Sequence, residues 1–304
     1  MSEPAVLVTG AAGLLGNAVR ALLEADGRRV VPIDRVSMTE EGRPIVVCDL
    51  SDVHRLHALS VESQIVGIVH CGAHSGPMVA RDNPYSMVQV NIVGTANVLE
   101  IARIHGARFV FCSSTSAYGN TPGGPVPEDV LLVPTSVYGA SKVAGEQLVS
   151  AYSKQYGVDG VSLRLSWVYG PRRTTDCIVR TMIEDALAGR PTRKLFGRDF
   201  HRQFIHVDDA ARAFVMALNT PHLPRQSYNV TGGTYLTLGE IGDIVRRVLP
   251  QAEIELGEGP DPVDDMQHRF DVSAVQRDLR FQPEISLEHG VRDYAAWLRN
   301  RAAA

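Results

Sequence analysis

The stretch AVLVTGAAGLLGNAVRALLEADG, residues 5–27, constrains the fold more than any other part of the chain. An apolar run (5–10) ends on Gly10. Gly13 and Gly16 follow, inside the start of an amphipathic stretch (14–27) that Gly27 closes. This order predicts a buried strand, a tight turn and a helix. The alternation recurs. RVVPID (29–34), PIVVCDL (44–50), IVGIVHCGA (65–73), RFVFCSS (108–114) and GVSLRLSWVYG (160–170) read as strands. QVNIVGTANVLEIARIHG (89–106) and a stretch opening around Ser136 read as helices between them. Such alternation needs right-handed crossovers and therefore a parallel sheet. The strands are nearly continuous in apolar residues, as expected when helices cover both faces. The predicted class is α/β, with a doubly wound parallel sheet.

After YGPRR (169–173) the rhythm changes. A helix over 175–189 leads to the loop GRDFHRQFIHVDDAARA, then a helix through about Leu218 and a strand in SYNVTGG (227–233). The tail from about 236 reads as one helix, a Pro- and Asp-rich loop at 258–265, and a final helix at 287–301. The expected organisation is a cofactor domain over 1–170, with contributions from about 204–233, and a smaller interleaved lobe over 171–304.

Composition excludes some classes. A formal net charge of -4 supplies no basic field for nucleic acid. No apolar run is long enough to span a membrane. The start, MSEPAVLVTG, runs into a strand without a signal-like leader. Cys48, Cys71, Cys112 and Cys177 are scattered without paired spacing, which fits free thiols in the cytoplasm.

Between strand and helix, Gly10, Gly13 and Gly16 let a phosphate approach the backbone. The helix start offers N–H groups and a positive dipole end to a pyrophosphate. An acid, Asp34, then ends the second strand, as in a Rossmann-like dinucleotide site. Its carboxylate accepts from an adenosine ribose and repels a 2′-phosphate, so NAD is expected over NADP. Arg35, next in sequence, could meet that phosphate instead. Asp49, ending the third strand, reads as an adenine contact; a helix cap by Asp49 or Ser51 is the equal reading.

Ser114 ends the fifth strand, on the carboxyl edge where α/β sheets place ligands. In SVYGASKVAGE (136–146), Tyr138 and Lys142 fall on one helix face, one turn apart. A phenol with an ordinary pKa of about 10 is a poor base at neutral pH. A neighbouring ammonium favours its ionised form, so Tyr138 can move a substrate hydroxyl proton. Ser114 would hold the same oxygen, and Lys142 the nicotinamide ribose. The competing reading is an ordinary Tyr and Lys on a surface helix.

Other clusters are less specific. His70, Cys71 and His74 lack further ligands and read as core or loop residues, not a metal site. His206, Asp208 and Asp209 read as a helix start, with an acid at the cap.

The set resembles the extended short-chain dehydrogenase/reductase family, in its NAD-dependent epimerase/dehydratase branch, similar to UDP-sugar 4-epimerases. The resemblance runs nearly end to end. It rests on VTGAAGLLG, CDLSD, NIVGTANVLE, FCSSTSAYG, PTSVYGASKVAGE, LRLSWVYGPR, RQFIHVDDAARA and YNVTGG. It implies that Ser114, Tyr138 and Lys142 carry the chemistry, with Thr115 and Ser75 beside the substrate. It implies NAD contacts at Leu14, Leu15, Leu50 and Asn91, and along the backbone of Cys71, Gly72 and Ala73. Trp167 stands where nucleotide-sugar members carry an asparagine that touches substrate. Arg202 matches their phosphate-binding arginine. A second arginine of theirs falls in the acidic loop GPDPVDDMQHRFD, where Arg269 is the candidate substitute.

The resemblance implies a nucleotide-sugar epimerase. The alternative is a dehydrogenase that releases NADH from a free sugar, sugar acid or polyol. A non-catalytic cofactor sensor is a third class, disfavoured by the intact Ser–Tyr–Lys set. A homodimer is expected, joined by a four-helix contact of about 92–105 and 137–155 from each subunit.

Overall fold

A computed structural model describes residues 3–262 and 264–302. The leader reading at Met1 and Ser2 lies outside the described residues. Seven parallel strands form the main sheet: β1 (Ala5–Thr9), β2 (Arg29–Asp34), β3 (Val46–Val47), β4 (Ile65–His70), β5 (Arg108–Ser114), β6 (Gly160–Leu165) and β11 (Ser227–Val230). Six shorter strands pair two by two: β7 (Trp167–Tyr169) with β10 (Phe204–His206), β8 (Thr192–Lys194) with β13 (Ile254–Leu256), and β9 (His201–Arg202) with β12 (Leu236–Thr237).

The main sheet runs β11-β6-β5-β4-β1-β2-β3. Strand order reverses between β1 and β4, and open α/β sheets bind ligands at that point. Helices α1 (Leu14–Ala25), α7 (Val207–Asn219) and α9 (Ser273–Leu279) cover one face; their apolar sides meet Val6, Val8 and Val110. The other face carries α2 (Val53–Glu62), α4 (Gly94–His105) and α5 (Val137–Tyr156), around Leu7, Ile68 and Phe109. A third core holds α6 (Ile178–Leu187), α8 (Leu238–Val248) and α10 (Leu287–Ala302). The small pairs β7–β10 and β8–β13 contribute to it.

Several elements differ from the sequence reading. The run at 160–170 is two strands, because the chain changes partner at Ser166. Ser166 N still bonds Val230 O in the main sheet (3.1 Å), whereas Trp167 N bonds Gln203 O (3.0 Å). The run at 44–50 keeps only Val46 and Val47 as an edge strand. The helix expected from 89 starts earlier, with α3 (Pro84–Val88) capped by Asn83, and passes through a π-helical turn at Gln89–Val93. The tail holds one more helix than expected, the seven-residue α9. Its apolar contacts are long-range, with a helical period too short to stand out.

Candidate active site

A cavity of about 410 Å³ opens along the carboxyl ends of the main-sheet strands. One end is walled by Gly10, Gly13, Leu14, Leu15, Gly16, Asp34, Arg35, Asp49 and Leu50. Cys71, Gly72, Ala73, His74 and Ser75 line the middle, and Ser114, Thr115, Tyr138 and Trp167 the far end.

At the first end the backbone is drawn in close. Gly10 has φ +67°, and a Cβ there would lie 2.8 Å from the Cys71 carbonyl carbon. A Cβ at Gly16 would lie 2.1 Å from Gly10 O. Only glycine fits either place. Gly13 holds the N-cap position of α1 with no side-chain cap, leaving first-turn N–H groups for an anion. Asp34 is tied to this loop: Ala12 N donates to Oδ2 (3.0 Å) and Arg35 N to Oδ1 (2.7 Å). Asp49 does not cap α2; Asp52 does, accepting from Arg55 N. Asp49 instead accepts from Ser51 N and Oγ, which hold its carboxyl below the usual range, and it faces the cavity.

The middle wall is held by a chain of hydrogen bonds. Gly72 N donates to Thr9 Oγ1 (2.9 Å), which lies 2.7 Å from His70 Nδ1. His70 Nε2 lies 3.0 Å from Thr95 Oγ1, and that hydroxyl spends its proton on Asn91 O (2.6 Å). Thr95 must therefore accept from His70 Nε2–H, which makes Nδ1 the acceptor for Thr9. The imidazole is neutral: burial, helped by the Lys142 charge, pushes its pKa down to about 3. His70 is thus a satisfied core residue, as the sequence suggested. Asn91 sits in the π-helical turn, a feature frequent at functional sites. Its side chain accepts from His74 N (2.8 Å) and donates to His74 O (3.1 Å) and Ser141 Oγ (3.0 Å). Asn91 therefore positions the wall and is not among the residues that line the cavity.

At the far end, Ser114 caps a single 3₁₀ turn (Thr115–Ala117), its Oγ accepting from Ser116 N. The first turn of α5 packs directly beneath; a Cβ at Gly139 would lie 2.3 Å from Ser116 O. Ser136 caps α5. Tyr138 is 8% exposed, toward the cavity, and Lys142 is 3% exposed behind it. Lys142 Nζ donates to Cys112 O (2.8 Å) and lies 5.5 Å from the Tyr138 ring centre. Lys142 is not itself on the cavity wall. Cys71 and Cys112 line it side by side; their mutual hydrogen bond lowers the Cys112 thiol pKa and raises that of Cys71.

A buried network fixes β5, β6, β11 and α5 together. Arg164 forks onto Glu146 (Nη2 to Oε2, 2.7 Å; Nε to Oε1, 2.9 Å) and donates to Tyr118 Oη (2.7 Å). Ser113 Oγ donates to Glu146 (2.5 Å), and Tyr118 Oη to Asn229 Oδ1 (2.8 Å). Glu146 and Arg164 lie inside readable motifs, yet nothing local in the sequence marks them as partners.

Trp167 lines the cavity, whereas Arg202 lines a smaller adjoining one. Arg202 pairs with Asp261 (3.3 Å) and with Asp264, and its guanidinium stacks on Phe200 (4.5 Å) and Trp167 (5.3 Å). The sequence reading missed Ser166, Arg173, Thr174 and Thr175 on the wall. Arg173 was visible only as part of YGPRR; its direction is set by backbone carbonyls it reaches. His206 Nδ1, not an acid, caps α7, with Asp208 and Asp209 in its first turn.

A strand–glycine–helix cradle, an acid at the next strand end, and Ser114 and Tyr138 on one cavity with Lys142 behind them are the build of a dinucleotide-dependent enzyme. Residues 6–231 match the NAD dependent epimerase/dehydratase family, and the chain belongs to that family. It is 31% identical to UDP-glucose 4-epimerase of Mycolicibacterium smegmatis over 97% of this chain and 99% of that one. A structure of UDP-glucuronic acid 4-epimerase from Bacillus cereus, with UDP-glucuronic acid and NAD, superposes with a TM-score of 0.84. It is 26% identical and covers 98% of this chain and 99% of its own. UDP-glucose 4-epimerase from Thermotoga maritima, with UDP-glucose, has a TM-score of 0.90 at 23% identity over 98% of this chain and 99% of its own. That likeness establishes the fold. NAD is the cofactor of this enzyme, and the uncapped first turn of α1 behind Gly13 suits its pyrophosphate. No helix among the described residues is long and apolar enough to cross a membrane.

Proposed function

We propose that the enzyme oxidises and re-reduces a secondary alcohol of a sugar-type substrate, with Tyr138 moving the hydroxyl proton. The observation that carries this is Tyr138 on the cavity wall beside Ser114, with Lys142 fixed behind its ring. Bound NAD supplies the hydride acceptor and donor. The residues do the rest. Gly10, Gly13, Leu14, Leu15 and Gly16 hold the pyrophosphate, and Asp34 the adenosine ribose. Asp49 and Leu50 border the adenine, and Cys71, Gly72 and Ala73 the nicotinamide side. Asn91 acts on the cofactor only through the loop it clamps. The substrate proton passes to Tyr138 Oη as the carbon is oxidised and returns from it as the carbonyl is reduced. Ser114 Oγ holds that oxygen in both states. Thr115, Ser75 and Trp167 border the substrate, with Arg202 behind Trp167.

Likeness to UDP-sugar 4-epimerases supports epimerisation of a nucleotide sugar. A dehydrogenase that releases NADH is the second reading, favoured by the pairing of Arg202 with two carboxylates. In either case residues 1–170, with 204–233, form the cofactor domain, and 171–304 mainly the substrate lobe. Four unpaired cysteines suit a reducing cytoplasm. A homodimer through α4 and α5 is part of this reading. The test is a panel of UDP-, GDP- and free sugars, followed together for epimer formation and NADH absorbance. Turnover with no NADH build-up selects epimerisation; stoichiometric NADH selects dehydrogenation. No turnover of any secondary alcohol by NAD-loaded enzyme rejects both.

A further inference from the structure

We infer that the Arg202–Asp261–Asp264 cluster sets the substrate class: a free, hydroxyl-rich sugar or sugar acid carrying at most one carboxylate, without a nucleotide diphosphate. This rests on the cavity being the substrate site of a Tyr138 enzyme, as proposed above, and takes the free-sugar reading over the nucleotide-sugar one.

A diphosphate needs cations or helix N-termini to replace its water, and arginine forks are the usual means. At the far end of this cavity that means is already spent. Arg202 is 9% exposed and pairs with both Asp261 and Asp264. Phe200 and Trp167 flank its planar group at 4.5 and 5.3 Å. A third acid, Asp265, borders the same small cavity and accepts from Thr135 Oγ1 (2.5 Å). Three carboxylates thus surround one guanidinium. For Arg202 to meet a diphosphate, it would have to give up its pairing with both carboxylates inside this enclosed cluster, which is unfavourable. The incoming anion would also face those acids.

The cation on the main wall at this end is Arg173. It forms no ion pair with the described residues. It donates instead to the carbonyls of Val168, Thr175 (3.3 Å) and Asp176 (2.8 Å). Around it the wall offers the hydroxyls of Ser166, Thr174 and Thr175 and the Trp167 ring. One guanidinium among hydroxyls and an aromatic face matches a polyol chain and a single carboxylate. Arg35 lies at the opposite end, beside Asp34, and does not serve this one.

The experiment is calorimetric titration of UDP into NAD-loaded wild-type enzyme, with Arg202→Ala, Asp264→Asn and Arg173→Gln alongside. The expected result is a UDP dissociation constant weaker than about 1 mM. Asp264→Asn should then bind UDP about tenfold better, and Arg173→Gln should raise KM for a carboxylate-bearing sugar about tenfold with little change in kcat. UDP binding tighter than about 1 mM in wild type overturns the inference, and a weakening of about tenfold by Arg202→Ala then assigns that binding to Arg202. The wild-type titration decides even if a variant does not fold. It needs no turnover, so it is read separately from Tyr138→Phe: a normal rate in that variant rejects the catalytic reading, whatever UDP does.

Discussion

Lys142 Nζ stands 5.5 Å from the centre of the Tyr138 ring and is anchored there by the carbonyl of Cys112 at 2.8 Å. The ammonium is thus held by strand β5, which also carries Ser114, so the three side chains form one rigid unit. Tyr138→Phe keeps the ring's packing and removes the proton carrier. Turnover should fall about 10²–10⁴-fold, with NAD affinity nearly unchanged. Lys142→Ala should weaken both, since it removes a cation from beside the phenol and the cofactor. Steady-state rates and NAD titrations on both variants check this.

Asp34 faces the cavity with both carboxylate oxygens already accepting backbone N–H groups. It is therefore fixed where a 2′-phosphate would meet its charge. NAD should bind more tightly than NADP. Asp34→Ser should narrow the difference about tenfold or more, because Arg35 then faces the phosphate unopposed. Fluorescence titration with both nucleotides measures it; an unchanged ratio would assign the choice elsewhere.

His70 makes stability depend on acid. Unfolded, its imidazole takes a proton near pH 6.5; folded, it resists protonation until about 3, chiefly because it is buried. Its contribution is therefore complete above about pH 6.5 and declines as pH falls toward 3, by about 1.4 kcal/mol per pH unit. Carboxylates titrate over part of this range too, so the difference from His70→Asn isolates the effect. The variant's stability should fall less steeply between pH 6 and 4, measured as urea midpoints at about half-unit pH steps.

The Arg164–Glu146 pair is buried on both sides. Arg164→Met leaves Glu146 without its fork and should cost about 3–5 kcal/mol. Adding Glu146→Leu should recover much of that, because it removes the stranded charge. Denaturant midpoints of the two variants decide between pairing and plain packing as the source of the loss.

Val93 and Ile104 are exposed on the π-helical turn and α4, and Ala140 and Ala151 on α5. Two copies joined by these helices would cover them. Light scattering should give twice the chain mass of 33.1 kDa at micromolar concentration, and Ala151→Arg should give the single mass. A single mass for the wild type would remove the dimer.

What was legible in the sequence is what the backbone decides over a few residues. Alternating apolar runs announced the parallel sheet. The glycine spacing announced the cradle, and a four-residue step put Tyr138 and Lys142 on one helix face. These depend on strand and helix periods and on glycine's missing side chain, all of which act locally. What depends on distant chain segments was decided only by folding. The jump of the chain from β11 to β10 at Ser166, the anchoring of Lys142 by Cys112, and the pairing of Arg164 with Glu146 all join elements that no local pattern relates. The same holds at the substrate end. Arg202 reads in sequence as a match to a phosphate-binding arginine, and only the fold brings the loop carrying Asp261 and Asp264, about sixty residues away, into pairing with it. A charge's role depends on what stands within a few ångströms, and only the tertiary structure sets that distance.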